Sequence, residues 1–226
     1  MSDSTAVPSR FHKLARAAVP VLAAAALFTA PAPIASAEPA CPDIEVVFAR
    51  GTSEAPGIGR VGQALTDALI AQGGGRTVGT YAVNYPATYD FLGAADGAND
   101  ASAHIAMMAQ QCPGTRIVLG GYSQGAAVVD MLAGIPPLGN RVGDIGSAPP
   151  LPGSLNGNVA GAAVFGNSSA KFGVPLSGSG AFAGKSIDLC NDGDPICSDG
   201  RNPFAHTSYE RTNMPAQAAG FILGRM

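Results

Sequence analysis

Short apolar runs alternate along this chain with stretches whose apolar residues recur at helical spacing. Residues 43–49 (DIEVVFA) are mostly apolar and break at Arg50-Gly51-Thr52, which predicts a buried strand. Across 58–72, Val61, Ala64, Leu65, Ala68 and Leu69 fall on one helical face, and Gly73-Gly74-Gly75 stops the helix. Residues 77–85 (TVGTYAVNY) predict a second strand, ended by Pro86, and 99–111 a second helix. A third strand over 115–121 (TRIVLGG) leads into a helix over 124–133, and strands follow at 159–165 and 186–189. Pro215, at a first-turn position that proline tolerates, opens a last helix toward Gly224. Residues 167–184 are rich in Gly and Ser yet carry Phe172, Val174, Leu176 and Phe182, which predicts a long surface loop lying over apolar surface. The strands are continuously apolar, as expected when both faces of a sheet are covered. Their alternation with helices predicts one α/β domain, in three layers, around a mostly parallel sheet of about five strands.

The N-terminus reads differently. Arg10, Lys13 and Arg16 precede an apolar stretch over 17–30, and Ala35-Ser36-Ala37 has the form of a signal-peptidase site. Residues 1–37 are therefore expected to be a signal peptide and 38–226 the single folded domain of a secreted protein, extracellular or attached to the cell wall. Pro20, Pro31 and Pro33 argue against a membrane-spanning reading of the leader, and nothing beyond it is apolar enough to span. The leader holds three of the basic residues against Asp3, so the remainder is more acidic than the formal charge of −3 for the whole chain. With no basic tract, nucleic acid is not expected as a partner. All four cysteines lie beyond the leader, and an even count in an exported chain implies two disulfides, with three possible pairings. A zinc site is disfavoured, because Cys190 and Cys197 are too widely spaced and no histidine lies near Cys41 or Cys112.

Gly121-Tyr122-Ser123-Gln124-Gly125 fits G-x-S-x-G, a weak pattern alone in a chain with 30 glycines. Its setting strengthens it. An apolar strand leads in and a helical pattern leads out, as in the nucleophile elbow of α/β-hydrolases, where a sharp turn lifts a serine clear of the sheet. A serine needs a base. Beyond the leader there are two histidines, His104 and His206, and only His206 follows the serine as this fold class requires. His104 reads as an ordinary helical histidine. The acid must lie between Ser123 and His206, where Asp130, Asp144, Asp188, Asp192, Asp194 and Asp199 are available. Asp192 and Asp194 are better placed, after a strand and between two cysteines, but spacing does not choose between them.

These segments together resemble the cutinase family of secreted serine esterases, with the actinobacterial branch the most similar. The matching stretches are CPDIEVVFARGTSE (41–54), CPGTRIVLGGYSQGA (112–126), CNDGDPIC (190–197) and His206, in the family's order. The resemblance implies Asp194 as the acid and the disulfides Cys41–Cys112 and Cys190–Cys197. It also implies an oxyanion hole from the backbone N–H of Gln124 and the hydroxyl and N–H of Thr52. It implies ester hydrolysis through an acyl-enzyme with Ser123, Asp194 and His206, no cofactor or metal, and no large lid. Tyr85, Pro86, Tyr89, Phe91, Leu92, Pro203 and Phe204 are expected to form an open rim suited to short and medium acyl chains or lipid. A monomer is expected. The polar stretch 198–203, where fungal members carry aliphatics, weighs against the polyester cutin as substrate. Removal of acetyl groups from polysaccharide, phospholipase or acyl-transfer activity, and a binding protein on a hydrolase fold are the competing readings.

Overall fold

A computed structural model describes residues 41–226, so the expected leader lies outside the described residues. Five strands form one sheet in the order β2-β1-β3-β4-β5: β1 (Ile44–Ala49), β2 (Val78–Ala82), β3 (Arg116–Tyr122), β4 (Val159–Phe165) and β5 (Ser186–Leu189). Every neighbouring pair is parallel. β1, β3 and β4 are buried almost throughout, which is why their sequences are apolar without alternation.

Successive strand residues face opposite layers. Val47 and Ala49 of β1, Ile117 and Leu119 of β3, and Ala162 and Val164 of β4 pack against α2 (Ala94–Gln111) and α3 (Gln124–Ala133). Ile44, Val46 and Phe48, with Val118 and Phe165, pack against α1 (Gly59–Gln72) and α6 (Met214–Leu223). The result is the three-layer α/β architecture. Two short helices complete it, α4 (Ser168–Lys171) and α5 (Pro203–His206). Among the described residues no helix is long and apolar enough to cross a membrane.

The chain departs from its sequence pattern in a few places. α2 begins five residues before the expected 99, because its contact face is built from small residues, Ala94, Gly97, Ala98 and Ala101, among acidic and amide residues. Asp90 accepts from Leu92 N–H in the turn that precedes it. β2 ends at Ala82, short of the expected 85, although the N–H of Val83 still donates to the carbonyl of Phe48 (3.0 Å). The 167–184 segment does lie over apolar surface, but it contains α4 and two single-turn helices. Leu176 and Phe182 are fully buried in the core beside α3. Asp188 anchors this segment by accepting from the N–H groups of Leu176 (3.2 Å) and Ser177 (2.8 Å).

Candidate active site

Ser123 sits between the end of β3 and the start of α3 with φ 54° and ψ −116°, a backbone conformation that non-glycine residues rarely adopt. The turn is possible because Gly121 and Gly125 flank it. A Cβ on Gly121 would run into the carbonyl of Gly125, and one on Gly125 into the carbonyl of Ala49. Ser123 is the N-cap of α3, yet its hydroxyl does not cap the helix. It lies 2.9 Å from Nε2 of His206.

The imidazole of His206 is held from several sides. Its Nδ1 is 2.8 Å from Oδ2 of Asp194. Tyr122 donates its hydroxyl to the backbone carbonyl of His206 (2.7 Å), and Asn191 donates through Nδ2 to the carbonyl of Ala205 (2.9 Å). α5 starts on an Asn202 cap and carries His206 as its last residue. An ionised carboxylate only accepts hydrogen bonds, so Asp194 fixes the proton on Nδ1 and leaves Nε2 free to accept from the serine.

Asp194 is fully buried. Burial alone would push its carboxyl up, but hydrogen bonds from His206, Tyr209 (2.6 Å) and the N–H of Ile196 (2.7 Å) outweigh it. The group is held below the usual carboxylate value. Burial and the adjacent Asp194 push the Tyr209 phenol far up, so it remains a neutral donor. Asp194 sits in the small ring closed by the Cys190–Cys197 disulfide. The other disulfide, Cys41–Cys112, joins the segment before β1 to the end of α2.

Thr52 lies three residues beyond β1, in a loop fastened at both sides. Arg50 is buried and donates to the carbonyls of Tyr85 (2.8 Å) and Glu54 (2.9 Å), while the Tyr85 hydroxyl donates back to the carbonyl of Arg50. Glu54 accepts from the N–H of Gly51 (2.7 Å) and of Arg60 (3.1 Å). The hydroxyl of Thr52 is 3.2 Å from Oε1 of Gln124, and the N–H of Thr52 has no acceptor among the described residues. Gln124 is the first residue of α3, so its N–H has no partner within the helix. Thr52, Ser123, Gln124 and His206 share one cleft of about 680 Å³.

The walls of that cleft differ in part from the expected rim. Tyr89 and Phe91 line it, whereas Leu92, Pro203 and Phe204 are exposed beyond it. Tyr85 is buried, because its ring covers the guanidinium of Arg50 and its hydroxyl is committed to the Arg50 carbonyl. The remaining wall comes from Leu138, Arg141, Val142 and Ile145, from Lys171 and Phe172, and from Pro195 and Ile196. The first group belongs to the long connection between α3 and β4. Its length and its isolated apolar residues were the available signal, since long loops carry binding surfaces. Tyr209, which packs against Asp194, gave no signal in the sequence.

Other candidates lie elsewhere. His104 stands on α2, with Nε2 2.9 Å from Glu45 and its ring stacked 3.5 Å from that of Tyr81. Asp130 is buried beneath α4, where one carboxylate oxygen accepts from Asn167 Nδ2 (3.1 Å) and the other has no partner among the described residues. Burial pushes its carboxyl well up. Asp192 does not face His206; that place is taken by Asp194. Asp199 is fully exposed, and Asp144 accepts from the N–H of Gly146. Among the described residues no group of His, Cys, Asp and Glu is arranged to hold a metal ion.

A serine, an imidazole and a buried carboxylate in one hydrogen-bonded line, at the carboxyl ends of parallel strands, is the layout of a serine hydrolase. The cutinase family model matches residues 40–226. The chain belongs to the cutinase family. It is a carboxylic ester hydrolase with the α/β fold of that family. Among its curated relatives, phospholipase Culp4 of Mycobacterium tuberculosis is 51% identical over 90% of this chain and 88% of the relative. Probable carboxylesterase Culp3 of the same species is 49% identical over 94% and 79%. Among solved structures, a Trichoderma reesei cutinase with a phosphonate inhibitor is 31% identical, with a TM-score of 0.64 over 81% of this chain and 76% of that one. The catalytic core of an acetyl xylan esterase from the same fungus is 26% identical, with a TM-score of 0.69 over 83% and 100%.

Proposed function

We propose that this cutinase-family hydrolase is secreted and cleaves esters of short to medium acyl chains through an acyl-enzyme on Ser123. The observation that carries the reading is the continuous line from Ser123 Oγ to His206 to Asp194, with both contacts under 3 Å at the base of the cleft. His206 Nε2 takes the serine proton as Oγ attacks the ester carbonyl. Asp194, ionised and held in place, stabilises the imidazolium that results. The N–H groups of Thr52 and Gln124, with the Thr52 hydroxyl, receive the negative charge that develops on the carbonyl oxygen, and the start of α3 adds its dipole. His206 then returns the proton to the leaving alcohol, and water releases the acid by the same route reversed. No cofactor or metal takes part, and a monomer suffices.

The cleft of about 680 Å³ has room for an acyl chain together with part of the alcohol portion. The exposed Tyr89, Phe91, Val142 and Ile196 around it suit aliphatic substrate. Phospholipase action is the second reading, favoured by the 51% identity to a protein of that name. The two disulfides and the leader pattern support secretion. A chain-length series of p-nitrophenyl esters tests the reading. Activity should peak between butyrate and decanoate and vanish in Ser123→Ala. A profile confined to acetate would overturn the acyl-chain assignment.

A further inference from the structure

The cleft that holds the serine carries two cations on its wall, in a chain of net negative charge. Arg141 and Lys171 both line the cleft that holds Ser123 and His206. They are gathered around one ring. The Arg141 guanidinium lies 5.2 Å and the Lys171 ammonium 5.9 Å from the centroid of Phe172. Arg141 has no carboxylate partner and makes no side-chain hydrogen bond among the described residues. Lys171 donates to the carbonyl of Pro195 (2.9 Å) and keeps two further N–H donors. Its nearest carboxylate, Asp199, is 3.8 Å away and fully exposed to water. The one acidic residue on the cleft wall, Asp144, accepts from the N–H of Gly146. The formal charge of the whole chain is −3, so two cations without a close carboxylate partner on this wall run against its net charge.

Resting on the esterase reading above, we propose that Arg141 and Lys171 form a subsite for a phosphate carried by the substrate, so that the preferred ester is one whose alcohol portion bears a lipid headgroup phosphate. In a glycerophospholipid the phosphate lies only a few bonds from the scissile acyl esters, so a serine and a cation pair that line one cleft can engage the same molecule. Arg141 supplies a forked donor set matched to phosphate oxygens and Lys171 a point charge. The apolar residues around them take the acyl chain. The Phe172 ring faces the exposed guanidinium at 5.2 Å, a cation–π contact that favours its place on the cleft wall. The same pair would receive free phosphate, and the two sources are separable.

The test compares monomeric dihexanoyl phosphatidic acid with dihexanoylglycerol, which differ by the phosphate alone, and uses p-nitrophenyl butyrate as a reference. The wild type should favour phosphatidic acid in kcat/KM. Arg141→Gln with Lys171→Met should lose about tenfold more on phosphatidic acid than on dihexanoylglycerol, as two charge-assisted contacts are removed. Arg141→Gln alone breaks no side-chain hydrogen bond among the described residues and should shift the ratio in the same direction. Equal losses on both lipids, or no loss on either, would overturn the proposal. Inorganic phosphate that inhibits p-nitrophenyl butyrate hydrolysis, without any preference for phosphatidic acid, would assign the pair to free phosphate and overturn the headgroup reading. An enzyme inert toward all three esters would instead overturn the esterase reading, and this proposal with it.

Discussion

At the scale of single residues, two histidines separate by environment. His206 is fixed between Ser123 and Asp194, with Tyr122 and Asn191 holding its backbone. His104 is paired with Glu45 and stacked on Tyr81, in contacts that bind α2 to the sheet. His206→Ala should therefore lose about 10⁴-fold or more in kcat while remaining folded, as expected when a triad loses a member. His104→Ala should keep near-wild-type kcat and instead melt somewhat earlier. Initial rates on p-nitrophenyl butyrate beside melting curves check both. An inactive but folded His104→Ala would contradict the assignment. Chain order could point to His206 in the sequence because the order of serine, acid and base is a topological property of the fold. The acid was harder. Six aspartates satisfy the order and spacing left Asp192 and Asp194 open; the resemblance implied Asp194, and it is Asp194 whose carboxylate meets Tyr209, the N–H of Ile196 and His206.

At the scale of elements, the two disulfides act on different things. Cys190–Cys197 closes a ring over a separation of 7 residues and contains Asp194, whereas Cys41–Cys112 spans 71. Chain-entropy arguments give the short ring about 2–3 kcal/mol and the long one about 4. In the proposed mechanism the short ring also restrains the Asp194 carboxylate, 2.8 Å from His206, which has to keep that contact. Replacing Cys190 and Cys197 by Ala should thus lower turnover more than it lowers melting temperature, and replacing Cys41 and Cys112 should do the reverse. Melts and ester turnover on the two double variants decide the matter. A Cys190/Cys197 variant that melts much earlier yet turns over fully when folded would contradict the positioning role. Elements with strong periodicity were legible in the sequence: α3, β4 and β5 fall where the pattern puts them, because apolar runs of the right length lie between breakers. The start of α2 was not, since its buried face is made of Ala and Gly, which carry little hydrophobic signal. The cleft wall formed by Leu138, Arg141 and Val142 left only the length of its connection and a few isolated apolar residues to read, because an irregular segment has no period. Tyr85 misled for a related reason. An aromatic residue after a strand reads as rim, and its partner Arg50 becomes visible only in three dimensions.

At the scale of the whole molecule, stability should respond to pH through two carboxylates of opposite behaviour. Asp194 is held below its ordinary value, so its contribution is present above about pH 4 and lost as pH falls through its folded value. Asp130 is raised well above 3.8, so its contribution is present at low pH and lost as pH rises through its folded value. Asp130→Asn keeps an oxygen for Asn167 and removes the charge, so its melting temperature relative to wild type should climb from pH 4 to pH 8. Parallel melting curves across that range would contradict the burial argument. Every step of the proposed mechanism requires Ser123 to be the nucleophile, and covalent labelling tests that most directly. A fluorophosphonate probe, with the labelled peptide mapped by mass spectrometry, should modify wild type at Ser123 alone, fail on Ser123→Ala, and react far more slowly with His206→Ala. A label on any other residue, or one that persists in Ser123→Ala, would contradict it.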